Sequence, residues 1–574
     1  MAIFNILFVV GITMATAIVG LSQVRIVEST CETQLQLIYE QSIQSAIDEI
    51  SRAFKDFSQD GILQSLAREK TAVSALESCR LYLSLALDNL NNSLVSPREF
   101  ELDSTVVDDI KIRLSGAGAD LKTCIDEFDG EIYKTRNLAL EKLNKSIELI
   151  NNSFDIVEQL NSRISSTDKG TPTSRISFSS SKYRELVETQ SGRIYPDLVV
   201  AKDGSGNFFK INDALNAVKN YSSTRCVIYV KKGIYNENVK VELSKWNVLM
   251  IGDGIYHTVV SSNISSAEGV GTTLTATFAV YGKGFIARDI TFKNTAGAIN
   301  NQAVALFSAS DQSVFYKCSI EGYQDSLYAH SLRQFYRECY IYGTIDFIFG
   351  NSATVIQHSS ILLRRPLPGQ ENVITSHDKS YPSDNTGISI QNCIIRPVDD
   401  LTGVSTFLGR PRSNYALTAF LENQMEILID PKGWLTLNGP NDGPPPPETV
   451  VYVEYNNSGP GAVTSGRVKW KGVKLNLSGV QASRYTVRSL INGDQWLLAT
   501  GSIAYISPLL KRLDRLLQFD SVHSQEPPIS DEEPADACRI TLLNLLNHFG
   551  DRRHGKFELK RAKHSLTLSI NAEA

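Results

Sequence analysis

The sequence predicts two folds in tandem, an all-α four-helix bundle followed by an all-β, right-handed parallel β-helix, and three observations carry the prediction. The first is a run of short apolar segments at 227–230, 248–251, 290–292, 318–320, 339–341, 360–362 and 393–395. Each is rich in β-branched or aromatic residues and bounded by Gly, Asn, Asp or Pro, as strands are. The second is a spacing of twenty-odd residues that suits a solenoid, in which each coil buries its inner face only against the next. Asp325 and Asp346 are 21 positions apart and Gln302 stands 23 before Asp325. The third is a change of period upstream: Leu143, Ile147, Ile150, Phe154 and Val157 recur at alternating steps of four and three, the stripe of an amphipathic helix.

Taken from the N-terminus, residues 1–22 are apolar, carry no charge and end in small residues, which predicts a secretory signal peptide. Their length approaches that of a membrane span, so a retained signal anchor is the alternative, and only then is a membrane a partner. Residues 31–164 are glycine-poor and divide into four helical stretches, the pattern of an antiparallel bundle. Residues 165–194 are rich in Ser and Thr and read as a linker. The β-helix is expected over 195–500. The extension 501–574 contains a short amphipathic stretch at 509–517 and an acidic, Pro-rich stretch at 526–535.

The chemistry concentrates in Gly322-Tyr323-Gln324-Asp325-Ser326-Leu327-Tyr328 and Gly343-Thr344-Ile345-Asp346-Phe347-Ile348-Phe349-Gly350-Asn351. With coils stacked roughly 4.8 Å apart, Gln302, Asp325 and Asp346 are expected at equivalent places on one face. Two nearby carboxyls cannot both ionise cheaply, which suits one to act as nucleophile and the other as acid. His358 and His377 lack a second ligand at metal spacing, so neither a metal nor a cofactor is expected. A formal net charge of −5 argues against nucleic acid as a partner.

These segments occur in order with Gly233-Ile234-Tyr235-Asn236-Glu237, Gly284-Phe285-Ile286-Ala287-Arg288-Asp289, Arg333-Gln334-Phe335-Tyr336, Leu408-Gly409-Arg410-Pro411 and Glu454-Tyr455-Asn456-Asn457-Ser458-Gly459-Pro460-Gly461-Ala462. In this the chain resembles the plant pectin methylesterases, or pectinesterases. Residues 31–164 resemble the inhibitor domain that precedes the catalytic domain in many members, through Leu76-Glu77-Ser78-Cys79 and Thr123-Cys124-Ile125-Asp126-Glu127-Phe128. The resemblance implies hydrolysis of galacturonate methyl esters in pectin, with Asp346 as nucleophile, Asp325 as acid then base, and Gln302 and Gln324 as donors to the oxyanion. It also implies that Arg410 orients Asp346 and that Cys79 pairs with Cys124. Thr273, beside Thr272, resembles a substrate contact. Further substrate contacts are expected from Arg412 and from aromatic platforms at Tyr328, Phe349 and Trp434. The partners implied are methylesterified homogalacturonan and the chain's own inhibitor-like domain in cis. The location implied is extracellular, in the plant cell wall, and sequons at Asn91, Asn144, Asn151, Asn220, Asn263, Asn456 and Asn476 are compatible with glycosylation on that route.

Three positions depart from the family pattern. Arg412 and Leu437 stand where the family usually has Trp, and only Lys182-Tyr183-Arg184 stands where members often carry a basic cleavage site. Neither Arg nor Leu stacks on a sugar as an indole does. These departures support the competing reading, a pectin-binding or inhibitory wall protein with weak or no esterase activity, whereas the intact catalytic set supports the enzyme.

Overall fold

A computed structural model describes residues 35–57, 70–94, 104–128, 133–167, 195–437, 444–500, 557–562 and 565–570. The chain forms two units, one of residues 1–41 with 523–574 and one of residues 42–522. In the first, strands Phe557–Ala562 and Ser565–Ile570 pair antiparallel as a hairpin that the sequence reading missed. The leader or anchor at 1–22, the stretches at 509–517 and 526–535 and nearly all of the linker lie outside the described residues. Among the described residues no helix is long and apolar enough to cross a membrane.

Four helices form the N-terminal part: α1 (35–56), α2 (Lys70–Ser93), α3 (Ser104–Asp126) and α4 (Tyr133–Thr167). The stripe read from sequence on α4 is the buried one at Leu143, Ile150, Phe154 and Val157. Ile147 is only half-buried and Ser146 takes the inward place beside it. Polar contacts fix the pairing of neighbours: Ser42 and Ser153 share a hydrogen bond of 3.0 Å between α1 and α4. Cys79 and Cys124 form a disulfide between α2 and α3. Closing a loop of 45 residues in this way contributes about 4 kcal/mol in the chain-entropy view.

The rest of this unit is a parallel β-helix of three sheets, 11-, 7- and 8-stranded. Seven coils contribute one strand to each sheet, and strands at the two ends extend the 11- and 8-stranded sheets further. A representative coil runs through Ser313–Tyr316, Ser319–Glu321 and Leu327–Ala329, and the next through Arg333–Arg337, Tyr340–Gly343 and Ile348–Gly350. The inner faces pack aromatic on aromatic: Phe278 lies 4.6 Å from Phe292 of a different sheet, and Phe315 stacks on Tyr336 of the next coil at 4.8 Å. Such layers bury aromatic area at the spacing of the strands themselves.

One corner of the coil explains the cysteines. Lys317, Glu338, His358, Asn392, Glu422 and Asn456 all adopt left-handed backbone at the bend between the first and second sheets. The next residue points inward, and along the stack these are Cys318, Cys339, Ser359, Cys393, Asn423 and Asn457. From the third rung onward each side chain accepts the N–H of the previous coil: Cys339 N–H donates to Ser359 Oγ at 3.0 Å, Ser359 N–H to Cys393 Sγ at 3.3 Å, and Cys393 N–H to Asn423 Oδ1 at 2.9 Å. Cys318, Cys339 and Cys393 are thus buried thiols in a polar ladder that satisfies corner N–H groups the sheets leave unpaired.

Candidate active site

The two conspicuous segments are a second corner, between the second and third sheets. A Cβ on Gly322 would lie 2.5 Å from Ser326 Oγ, and one on Gly343 would lie 2.2 Å from Phe347 Cβ. The chain doubles back so sharply that only glycine fits four residues before the inward side chain. Asp325 and Asp346 sit at the apex with φ of 62° and 48°, a region that Asp enters more readily than most residues. Both are nearly buried. Leu327 pairs with Ile348, so the two aspartates occupy the same place on successive coils. Leu306 pairs with Leu327, which puts Val304, not Gln302, in line with them. Gln302 lies two residues earlier, a correction to the register expected from spacing.

Arg410, on strand Thr406–Pro411, meets Asp346 with a forked contact. Its Nε donates to Oδ1 at 2.9 Å and to Oδ2 at 3.1 Å, and a terminal nitrogen donates to Oδ2 at 2.5 Å. Such planar pairing fixes the position of the carboxylate, in a geometry an ammonium cannot copy. The Asp325 carboxyl is held well above the usual carboxylate range, first by burial and then by the charge of Asp346. One carboxyl is therefore clamped by a guanidinium while its neighbour is biased toward its protonated form.

The amides differ in how they are held. Gln302 Oε1 accepts from Ser266 Oγ at 2.6 Å, which leaves its N–H groups as the end available to donate. Gln324 is half-buried, and it is its backbone carbonyl that is held, accepting from Ala303 N–H at 3.2 Å. Trp434, expected as a sugar platform, is 1% exposed. Its ring lies flat on Tyr452 at 4.0 Å and its Nε1 donates to Glu454, so it props the groove from inside and offers no face to a ligand.

Helices α2 and α3 lie against the groove. Thr273 is buried beneath them: its hydroxyl donates to Glu127 Oε1 at 3.0 Å and contacts the Tyr82 hydroxyl. Ser74 accepts the Gly271 N–H at 2.8 Å, and Ser115 accepts the Asn385 N–H at 3.0 Å. Arg333, itself paired with Asp311, reaches Asp109 of α3. Gly116 permits a close approach of α3, since a Cβ there would lie 2.8 Å from Leu332. Tyr328 and Phe349, stacked at 4.1 Å, line the remaining gap with Arg412, Asp378, Lys122 and Thr123. Lys122 bonds Asp378 at 3.1 Å, and Arg412 stands 3.6 Å from the same carboxylate. Arg412 is therefore at the groove, as expected, but shares its charge with Asp378.

Titratable groups crowd this interface. Burial pushes the Glu127 carboxyl from 4.5 up to about 7 and also raises Asp120 and Asp126. His330, against Thr123 and stacked on Tyr82 at 4.9 Å, is pushed down to about 3 by burial. His377 is likewise enclosed, its Nδ1 accepting from Leu417 N–H, which makes it a packing residue. Among the described residues no cluster of His, Cys, Asp and Glu is arranged to hold a metal. The interface residues Lys122, Glu127, His330 and Asp378 were not singled out from sequence. One signal was present in Gly116, since a glycine inside a helix costs about 1 kcal/mol and calls for a packing reason.

Residues 197–494 match the family Pectinesterase, and residues 18–156 match the family plant invertase/pectin methylesterase inhibitor. The chain is similar to putative pectinesterase/pectinesterase inhibitor 24 of Arabidopsis thaliana, at 43% identity over 467 residues and 81% of each chain. Pectinesterase 3 of Phaseolus vulgaris is 41% identical over 481 residues, again 81% of each. The solved pectin methylesterase from carrot is 44% identical with a TM-score of 0.53, covering 55% of this chain and 99% of that one. The chain belongs to the pectinesterase family, with an inhibitor-family domain N-terminal to the esterase domain.

Proposed function

We propose that the chain hydrolyses galacturonate methyl esters of pectin in the plant cell wall, reached by secretion, with Asp346 as nucleophile. The observation that carries this reading is the unequal pair, Asp346 clamped by Arg410 beside Asp325 biased toward its protonated form. Asp346 attacks the ester carbonyl, and the N–H groups of Gln302 and Gln324 take the tetrahedral oxyanion. Losing one such donor typically costs about 10²–10³ in rate. The C–O bond to methanol breaks as Asp325 delivers its proton, leaving an acyl anhydride on Asp346. Water then attacks, Asp325 takes back a proton, and the free uronate departs. The test is methanol release from methylated pectin by the intact chain, with one new carboxylate titrated per methanol. Binding of pectin without release would favour the binding or inhibitory reading.

The bundle acts on this site in cis by covering it. Docking buries Glu127 with a raised pKa, so its contribution is fully present below about pH 4.5 and is lost as pH rises through about 7. That loss is on the order of 3 kcal/mol, about a hundredfold in the ratio of docked to open chain. Asp120 and Asp126 act in the same direction. His330 opposes them, since docking keeps it neutral and so weakens as pH falls below about 6.5. Glu127→Gln isolates the first effect. Wild type and variant should release methanol at similar rates near pH 5, and wild type should pull ahead by up to about a hundredfold near pH 7.5. A wild-type-to-variant ratio that stays flat across pH would show that Glu127 does not set the docking.

Arg412 adds a cation at the groove where an indole would stack. Arg412→Trp should raise kcat/KM on highly methylated pectin and flatten the salt dependence on partly demethylated pectin, since screening weakens only the charged contact. Initial rates on the two substrates across a salt series check both.

A further inference from the structure

We propose that Glu127 fills a carboxylate subsite of the groove, and that the ligand competing for it is a free uronate carboxylate of de-esterified pectin, so that the product opens the enzyme. The inference rests on the reading of this groove as the pectin site. The niche is shaped for a carboxylate: Thr273 Oγ donates to Glu127 Oε1 at 3.0 Å, and a Cβ on Gly271 would lie 2.3 Å from Glu127 Oε2. Only glycine leaves that space. Arg412 supplies the positive field on the groove side, and Ser78 and Tyr82 close the niche from α2.

When the bundle lifts, these groups need a new occupant. The Gly271 N–H loses Ser74, the Thr273 hydroxyl loses Glu127 and Tyr82, and Arg412 keeps Asp378 and Asp325 as its acidic neighbours but loses Asp126. Asp126 and Lys122, the other charges facing the gap, leave with the bundle. The burial that keeps Glu127 protonated goes with the bundle, and the groove's own donors pull the other way: a backbone N–H, a hydroxyl and a guanidinium around a glycine-sized hollow open to water bind an anion and offer little to a neutral methyl ester. Methylated homogalacturonan has no charge to place there. Each turnover makes one, so the concentration of the competitor rises as the reaction proceeds, and the docked fraction falls by mass action.

The test uses the intact chain near pH 5, where the bundle is docked, and reads backbone hydrogen exchange over residues 115–128. Unesterified oligogalacturonate should raise exchange saturably by about tenfold or more, whereas sodium chloride of matched ionic strength, and the fully methylated oligomer read within the lag before turnover has made free uronate, should leave it within about twofold. Arg412→Gln should move the midpoint of that response at least about tenfold higher. Methanol release from highly methylated pectin should show a lag that added unesterified oligomer removes. No change in exchange, an equal response to the methylated oligomer, or an unmoved midpoint in Arg412→Gln overturns the proposal. An exchange response without methanol release under any condition would instead sink the esterase reading and leave the subsite standing.

Discussion

Asp346→Asn is expected to lower kcat by about 10⁴-fold or more, as loss of a covalent nucleophile does, while the β-helix stays folded. In barrier terms that is about 5.4 kcal/mol. The side chain keeps its shape, and Asn tolerates the left-handed backbone at this corner as well as Asp does, so the φ of 48° carries no new strain. The amide oxygen still accepts from Arg410, but the forked pair becomes a single neutral bond and the partly buried guanidinium loses its counter-charge. A modest fall in melting temperature is therefore expected, of a few degrees and far from unfolding. The measurement is methanol release with thermal melting on the same preparation. Turnover within about tenfold of wild type by a folded variant would remove Asp346 from the nucleophile's role.

The contrast between what was and was not legible follows from which interactions are local. Gly322 with Asp325 and Gly343 with Asp346 could be read because one corner geometry demands the same residues on successive coils. The strands read from sequence lie mostly in one sheet. Five of the seven strands in the 7-stranded sheet, such as Leu306–Ser308 and Leu327–Ala329, are only three residues long and are fixed by pairing across coils, a non-local term. Coil length also varies: Val314 pairs with Phe335 across a short coil, but Ala353 pairs with Gly387 across a much longer one, so a fixed repeat loses register. Gln302 was misplaced by that kind of slip. Trp434 was misread because an indole serves a sugar face and a core equally well, and only its stacking on Tyr452 distinguishes them. The docking of α2 and α3 depends on Glu127, Lys122 and Ser115 meeting partners more than a hundred residues away, which no local pattern encodes.

Asp325→Asn should lower kcat on methylated pectin by about 10²–10⁴-fold, the usual range for a positioned acid or base. The deficit has two parts that separate with the leaving group. Methoxide leaves poorly without a proton, and the asparagine has none to give at this position. An oligogalacturonate ester of a more acidic alcohol, such as trifluoroethanol, departs without that help, so its first step should be largely restored. The second step is not restored, because water attacking the anhydride on Asp346 still lacks a base. The variant should therefore release a rapid burst of about one alcohol per active site on the activated ester, followed by slow turnover, the signature of a covalent intermediate that forms faster than it decays. Wild type should show no such burst, since Asp325, raised well above the ordinary range by burial and by Asp346, serves both steps. If the variant turns over the activated ester steadily at the wild-type rate, the second step does not use Asp325 as base. If it keeps wild-type turnover on methyl esters, Asp325 is not the acid, and the proton must reach methanol by another route.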